Sequence, residues 1–137
     1  MRILIAEDDT LSRNLLHKLL APYGECKVAT NGLEAIEAYK EAYAEKRPYG
    51  LICLDIMMPR MDGHEVLHRI RQLEDKNRVE DKYRAKVVMI TALADRKNVT
   101  LAAFGKCEGY LVKPIGKTSL SEKLEELGFL PKKVQAK

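Results

Sequence analysis

The chain has 137 residues, the size of one ordinary domain with room for a single hydrophobic core. Hydrophobic residues make up 46% and charged residues 32% of it, which excludes an intrinsically disordered chain; neither a signal peptide nor a run of about 18 apolar residues is visible, so we expect a cytoplasmic protein without a membrane span. The net charge of +4 is spread along the sequence without interleaved aromatic residues, which disfavours direct DNA binding.

Strand and helix signals alternate through the first half of the chain. A continuous apolar run is typical of a strand buried on both faces, whereas apolar residues that recur every three or four positions indicate a helix. We expect Asp9 or Thr10 to cap the first helix and Asn31 the second. In chain order the predicted elements are the strand Arg2–Ala6, a helix with Leu11, Leu15, Leu16, Leu19 and Leu20, a weaker strand at about Glu25–Ala29, a helix with Leu33, Ile36, Tyr39 and Tyr43, and the strand Leu51–Leu54.

The same alternation continues through the second half. A helix follows a loop that contains Pro59 and Gly63. The highly charged stretch at 74–86 then extends this helix, forms a long loop, or does both; its charges favour a solvated extension, and a surface for a specific partner is the alternative. Gly128 is expected to end the last helix, just beyond its C-cap. In chain order the predicted elements are a helix with Val66, Leu67, Ile70 and Leu73, the strand Val87–Ile90, a helix at about Asp95–Phe104, the strand Gly109–Val112, and a helix with Leu120, Leu124 and Leu127.

This alternation predicts an α/β domain. Successive strands and helices form parallel β-α units with right-handed crossovers, which gives a doubly wound sheet with helices on both faces. In such sheets ligands bind beyond the carboxyl ends of the strands, where the strand order reverses. Polar residues follow four of the five predicted strands at this edge: Glu7 and Asp8 after the first, Asp55 after the third, Thr91 after the fourth and Lys113 after the fifth.

The acidic residues at this edge predict a cation site. Carboxylates that lie close together repel one another unless a cation sits among them, and hard oxygen ligands suit Mg²⁺. The alternative is that these acids are helix caps and loop residues; Asp55 argues against it, because it caps no evident helix. The predicted ligands are Glu7, Asp8, Asp55 and the backbone carbonyl of Met57.

Asp55 could be a metal ligand only, or it could also be a nucleophile that forms an acyl phosphate. Transfer of a phosphoryl group depends mostly on positioning and on cations around its oxygens. Lys113 could bind one of these oxygens, and the Thr91 hydroxyl could donate to another. Taken singly, a lysine at a strand end is usually solvated and a threonine is often a plain strand residue, but one reaction accounts for all these positions together.

With these residues the chain resembles the response-regulator receiver domain of two-component signalling, and in particular the stand-alone regulators of chemotaxis. The resemblance extends from Arg2 to about Leu130. Four motifs in the family's order and spacing make it specific. They are Ile3-Leu4-Ile5-Ala6-Glu7-Asp8-Asp9, Leu54-Asp55-Ile56-Met57-Met58-Pro59-Arg60-Met61-Asp62-Gly63, Ile90-Thr91-Ala92 and Gly109-Tyr110-Leu111-Val112-Lys113-Pro114-Ile115.

The resemblance implies a role for each residue at the sheet edge. The position of Asp55 accepts a phosphoryl group from the phosphohistidine of a sensor histidine kinase or a phosphotransfer protein. The positions of Glu7 and Asp8 bind Mg²⁺, with Asp8 as the direct ligand. Those of Thr91 and Lys113 contact the phosphoryl group.

The resemblance also implies a switch. Tyr110 matches an aromatic residue whose ring turns inward when the residue matching Thr91 moves. This movement changes the surface around the fourth helix, fifth strand and fifth helix, where a partner would bind. The Lys113-Pro114 peptide matches one that is typically cis, and proline is the residue that permits this geometry.

The implied fold is flavodoxin-like, with five helices and the strand order 2-1-3-4-5, over residues 1–130 with a tail at 131–137. We expect a signalling protein that docks to an unknown downstream protein, as a monomer or a phosphorylation-dependent dimer, and not an enzyme. Two alternatives are open. The first is a hydrolase with an aspartyl-phosphate intermediate, which would need an acid or base near the nucleophile; the residue two positions after Asp55 is Met57, a poor proton carrier. The second is an interaction module that works without phosphate, which would not need the complete set of site residues.

Overall fold

A five-stranded parallel sheet lies at the centre of the fold, in the order β2-β1-β3-β4-β5. The computed structural model describes residues 1–92 and 107–132, so the predicted fourth helix at about Asp95–Phe104 and residues 133–137 of the predicted tail lie outside the described residues. The strands are β1 (Arg2–Ala6), β2 (Glu25–Ala29), β3 (Leu51–Asp55), β4 (Lys86–Thr91) and β5 (Gly109–Val112), and the α-helices of the described residues are α1 (Thr10–Leu20), α2 (Gly32–Ala44), α3 (Gly63–Lys76) and α4 (Lys117–Glu126).

Both faces of the central strands β1, β3 and β4 are buried. Successive side chains of a strand point to opposite faces, so Leu4 and Ile52 pack on one face beneath α2 and α3, while Ile5 and Ile90 pack on the other beneath α1 and α4. The doubly wound architecture and the predicted strand order are therefore confirmed. Of the five predicted helices, four are present in the described residues, the last of them as α4. None of these helices is long and apolar enough to cross a membrane.

All five strands end at one edge of the sheet, because every neighbouring pair is parallel. β3 is one residue longer than predicted and includes Asp55, because the ladder continues to the Ile56 N–H, which donates to the Ile90 carbonyl at 2.9 Å. The sheet therefore holds the backbone of Asp55 directly. The register pairs at this edge are Ala6 with Leu54, Asp55 with Ile90 and Thr91 with Val112.

The predicted helix ends are confirmed. The Asp9 carboxylate accepts the Ser12 N–H at 2.8 Å, and the Asn31 side chain accepts the Glu34 N–H at 2.9 Å. Gly128 ends α4 with a φ of 91°, a left-handed conformation that costs glycine little. These local signals fix where each helix begins or ends, and so they set the lengths of the loops at the sheet edges.

The charged stretch at 74–86 is not the uniformly solvated segment that its composition suggests. α3 ends at Lys76, and a 3-10 turn forms at Asp81–Tyr83. Glu74, on the last turn of α3, is completely buried. Its carboxylate accepts from Arg71 Nη1 at 2.7 Å and from the Ala85 N–H at 2.9 Å. The expectation of a solvated segment was wrong for Glu74, because a cation on its own helix compensates the buried charge.

Arg71 carries this network onward to the start of β5. Its Nη2 donates to Glu108 Oε1 at 2.9 Å, and the same oxygen accepts the Val87 N–H at 2.6 Å. Arg71 Nη1 also donates to the Ala85 carbonyl at 2.9 Å. The network thus ties α3 to the beginnings of β4 and β5, at the edge of the sheet opposite the predicted site.

We expect Arg71→Met to lower the free energy of unfolding by about 3 kcal/mol, because it leaves the buried Glu74 carboxylate without its cation. Urea unfolding at pH 7 measures this change. The matched control is Arg69→Met: Arg69 is exposed and pairs with Glu65 at 3.6 Å, and its loss should cost less than about 0.5 kcal/mol. Equal stability of the two variants would contradict a structural role for the network.

Candidate functional site

Three carboxylates converge where β1 and β3 end. One oxygen each from Glu7, Asp8 and Asp55 lies within 4.8 Å of the others. Glu7 is completely buried and Asp55 is 4% exposed, whereas Asp8 is open to solvent. The structure thus brings together three acids that the sequence places in two motifs nearly fifty positions apart.

Lys113 joins this cluster from the end of β5. Its Nζ lies 2.9 Å from Glu7 Oε1 and 3.4 Å from Asp55 Oδ2. Its backbone N–H donates to the Thr91 carbonyl at 2.8 Å, which fixes the position from which the side chain reaches across the sheet edge. The peptide bond that follows, Lys113-Pro114, is cis, as the resemblance implies.

Backbone N–H groups hold the two buried carboxylates in place. Asp9 N–H donates to Glu7 Oε2 at 3.1 Å, and Met57 N–H donates to Asp55 Oδ1 at 3.3 Å. In the described residues no hydrogen bond reaches the carboxylate of Asp8. Met57 therefore lies beside the cluster, and the predicted ligand role of its carbonyl stays a prediction.

Two glycines let the surrounding loops approach closely. A Cβ at Gly63 would lie 2.6 Å from the Asp55 carbonyl oxygen, and a Cβ at Gly32 would lie 2.1 Å from the Met61 carbonyl oxygen. Both distances are shorter than any side chain tolerates. Gly63 lies in a motif that the sequence analysis singled out, but the need for Gly32 was missed, because its neighbour Met61 comes from a distant loop.

Thr91 lies on β4, the strand next to that of Asp55, and Tyr110 lies on β5, one strand further away. Thr91 is buried at the end of β4, and its hydroxyl lies 3.4 Å from the Ala92 carbonyl oxygen. Tyr110 pairs with Met89 in the sheet and is 42% exposed. The switch role of these residues stays a prediction, and the predicted fourth helix that would share their surface lies outside the described part of the chain.

Burial sets the electrostatics of the site. It raises the pKa of Asp55 to about 7, helped by the neighbouring Glu7 carboxylate and opposed by Lys113. Burial alone would lower the pKa of Lys113, but its contacts with Glu7 and Asp55 outweigh this effect and raise that pKa. Lys113 thus stays charged, and one cation faces three carboxylates.

The donor set fits a hard divalent cation. Glu7 Oε1 is buried, and Lys113 Nζ lies 2.9 Å from it, at ion-pair distance. One ammonium group compensates only part of the charge of three neighbouring carboxylates, which favours a further cation among them. Asp8 and Asp55 each offer a further carboxylate oxygen close by, and such all-oxygen sites suit Mg²⁺.

An apolar cavity of about 420 Å³ opens next to Lys113. Leu11 and Leu15 on α1 form one side, and Pro114 and Ile115 form the other. Leu11 is 80% exposed and Leu15 is 40% exposed, since α1 turns Leu16 and Leu20 toward the core instead. The sequence showed both leucine stripes of α1 but did not separate the exposed stripe from the buried one.

Comparison with known proteins gives concordant matches. The sequence profile of the family described as response regulator receiver domain matches residues 3–125. The chain is 33% identical to the chemotaxis protein CheY-3 of Vibrio cholerae, over 93% of this chain and 91% of that protein. It is 30% identical to the response regulator mcs4 of Schizosaccharomyces pombe, over 95% of this chain but 28% of that protein.

The fold has solved counterparts as well. One chain in the co-crystal structure of the Saccharomyces cerevisiae histidine phosphotransfer signalling protein Ypd1 and the receiver domain of its downstream response regulator Ssk1 superposes with a TM-score of 0.80. The match has 28% sequence identity and covers 93% of this chain and 88% of that chain.

The raised pKa of Asp55 predicts how stability depends on pH in EDTA. A carboxyl group whose pKa is higher when folded contributes stability that is complete below about pH 4 and is lost as the pH rises through about 7. Asp55→Asn cannot ionise at this position. We therefore expect its free energy of unfolding, relative to that of the wild type, to rise by roughly 2 kcal/mol between pH 4.5 and pH 8. Urea unfolding measures the gain.

The control for this prediction is Asp62→Asn, the same substitution at the exposed cap of α3. Asparagine caps helices as well as aspartate does, so this variant should show no comparable gain. A difference between Asp55→Asn and the wild type that stays constant with pH would contradict the raised pKa.

Proposed function

Because the chain belongs to the response regulator receiver domain family of two-component signal transduction, we propose that Asp55 accepts a phosphoryl group from the phosphohistidine of a sensor histidine kinase or a phosphotransfer protein. The observation that carries this proposal is the position of Lys113 Nζ between the buried carboxylates of Glu7 and Asp55. A cation held against a nearly buried carboxylate can compensate the negative charge of the phosphoryl oxygens that bind there.

Asp55 acts in its ionised form. One of its carboxylate oxygens forms a bond to phosphorus while the bond between phosphorus and the imidazole nitrogen of the donor breaks, and the electron pair of that bond stays on the imidazole. The Met57 N–H and the β3 backbone keep the carboxylate in line for this attack. Lys113 compensates the charge on the incoming oxygens, and catalysis of this kind is mostly positioning and electrostatics.

We place Mg²⁺ at the carboxylate cluster. Asp8 and Asp55 are the proposed direct ligands, together with the Met57 carbonyl, and Glu7 adds a buried negative charge behind them. When bound, the ion neutralises phosphoryl oxygens that would otherwise face the acids unscreened. Glu7 and Lys113 hold each other in place at 2.9 Å, so the cluster keeps its shape before the phosphoryl group arrives.

Phosphorylation would then switch the surface around β5. A phosphoryl group adds a charge of roughly −1.5 to −2 and strong acceptor oxygens, which would draw the Thr91 hydroxyl and Lys113 toward Asp55. Tyr110 would move into the space that Thr91 leaves. A shift from 1:99 to 99:1 between two states needs about 5.5 kcal/mol, and charge-assisted hydrogen bonds of roughly 1.5–3 kcal/mol each supply it.

The protein is proposed to signal rather than to turn over a substrate. A hydrolase would need a general acid or base beside the acyl phosphate, and the residue two positions after Asp55 is Met57, whose side chain cannot carry a proton. We therefore expect slow loss of the phosphoryl group to water. The receiver unit is inferred to span residues 1–130, with Phe129 packed against the core, and to act in the cytoplasm on a downstream protein.

The apolar cavity beside Lys113 is the proposed docking place of the phosphodonor. Leu11 and Leu15 project next to the site from α1, and Ile115 faces them from the loop after β5. A partner that covers these leucines would bring its histidine to Asp55 and exclude water from the reaction. Exposed leucines next to a reactive group are typical of a protein-binding surface.

Incubation with acetyl phosphate and Mg²⁺ tests the proposed acceptor. We expect intact mass spectrometry to show one added phosphoryl group on the wild type and none on Asp55→Asn or in EDTA, because the carboxylate and the cation are both needed. Asp62→Asn is the matched control and should be modified like the wild type. An unmodified wild type, or a modified Asp55→Asn, would contradict the role of Asp55.

Leu11→Glu tests the docking surface. We expect it to slow transfer from a phosphorylated histidine donor by roughly 10-fold or more, as for the loss of an apolar contact residue, while modification by acetyl phosphate stays unchanged. Yeast phospho-Ypd1 serves as the donor, and transfer is followed by loss of its label. The control is Leu33→Glu, an equally drastic change at an exposed leucine on α2; equal slowing in both variants would remove the surface from the proposal.

A further inference from the structure

We propose that Arg13 is a positioning residue that holds the loop bearing Asp8 in the geometry needed to bind Mg²⁺. This inference rests on the proposed function, because it assumes that Asp8 is a ligand. Arg13 lies on the first turn of α1, and its guanidinium folds back under the loop between β1 and α1. It touches no carboxylate of the cluster by hydrogen bond.

Within the described residues, the side-chain hydrogen bonds of Arg13 go to the loop that carries Asp8 and to the first residue of α1. Nη1 donates to the Glu7 carbonyl at 3.1 Å and to the Asp8 carbonyl at 3.3 Å, and Nη2 lies 3.4 Å from Thr10 Oγ1. One planar group therefore binds three of the four residues at 7–10. The rigid fork of arginine suits this task, since its donors keep a fixed spacing.

Asp8 needs such support more than its neighbours do. Glu7 is held by the Ala29 carbonyl, which accepts its N–H at 3.0 Å, and by Lys113. Asp55 is held within the sheet. Asp8 is exposed, and in the described residues its carboxylate accepts no hydrogen bond, so its direction depends on its backbone. Among the side chains that the structure describes, Arg13 is the one that donates to the Asp8 backbone.

Charge alone predicts the opposite effect. A guanidinium near a cation site repels the cation, so if Arg13 merely balanced the acids, its removal would strengthen Mg²⁺ binding. If Arg13 positions Asp8, its removal weakens Mg²⁺ binding in spite of the lost repulsion. Arg13→Lys separates the two effects, because it keeps the charge and loses the fork.

The test is calorimetric titration of Mg²⁺ into the wild type, Arg13→Lys, Arg13→Gln and the control Arg69→Lys. We expect the Kd of both Arg13 variants to rise about 10-fold, at the lower end of the effects of outer partners on metal affinity, and that of Arg69→Lys to stay unchanged. A second readout is modification by acetyl phosphate across Mg²⁺ concentrations. The half-saturating Mg²⁺ should rise with the Kd, while the rate at saturating Mg²⁺ returns toward that of the wild type.

Each outcome decides a different claim. Wild-type affinity in Arg13→Lys, or tighter binding in Arg13→Gln, would overturn the positioning role. A rate that stays low at saturating Mg²⁺ would also overturn it, since Arg13 would then act on something other than the metal. No Mg²⁺ binding by the wild type would instead overturn the proposed function. Urea midpoints in EDTA that match the wild type confirm that the variants are folded.

Discussion

The site depends on buried negative charge that the fold compensates in part. Parallel β-α topology brings the ends of β1 and β3 together, so Glu7, Asp8 and Asp55 share a space of a few ångströms. Lys113 forms ion pairs with the two buried carboxylates, but its single positive charge leaves the cluster net negative. Burial, helped by the Glu7 carboxylate, raises the pKa of Asp55, and the net negative charge accounts for the affinity that the site should have for a hard cation.

The fold and the convergence of the site were accessible from sequence, because each rests on a regular pattern. Apolar runs predicted the strands, and the observed ends of β3 and β4 lie within one residue of the predicted ends. Polar residues after those runs met at one sheet edge, since parallel strands share their direction. Helix ends were predictable for the same reason: the Asp9 and Asn31 caps act within three residues of themselves.

What the sequence could not supply were contacts between distant segments. Glu74 looks like any glutamate in a charged stretch, and its burial follows from Arg71 and from the N–H of Ala85 across a loop. Nor does helical spacing decide whether Leu11 or Leu16 faces the core when both stripes are apolar. From sequence alone, Arg13 is an ordinary polar residue on the first turn of a helix. Only the structure shows that its guanidinium donates to the carbonyls of Glu7 and Asp8.

The network of Arg71, Glu74 and Glu108 has a consequence for how such a protein can diversify. It fastens the starts of β4 and β5 to α3, at the edge of the sheet away from Asp55. The Arg71 network thus lies at one end of the strands and the acidic cluster at the other. Under the proposed function, substitutions at exposed residues such as Leu11 would change the surface beside Asp55 without touching this network, so partner choice could evolve separately from stability.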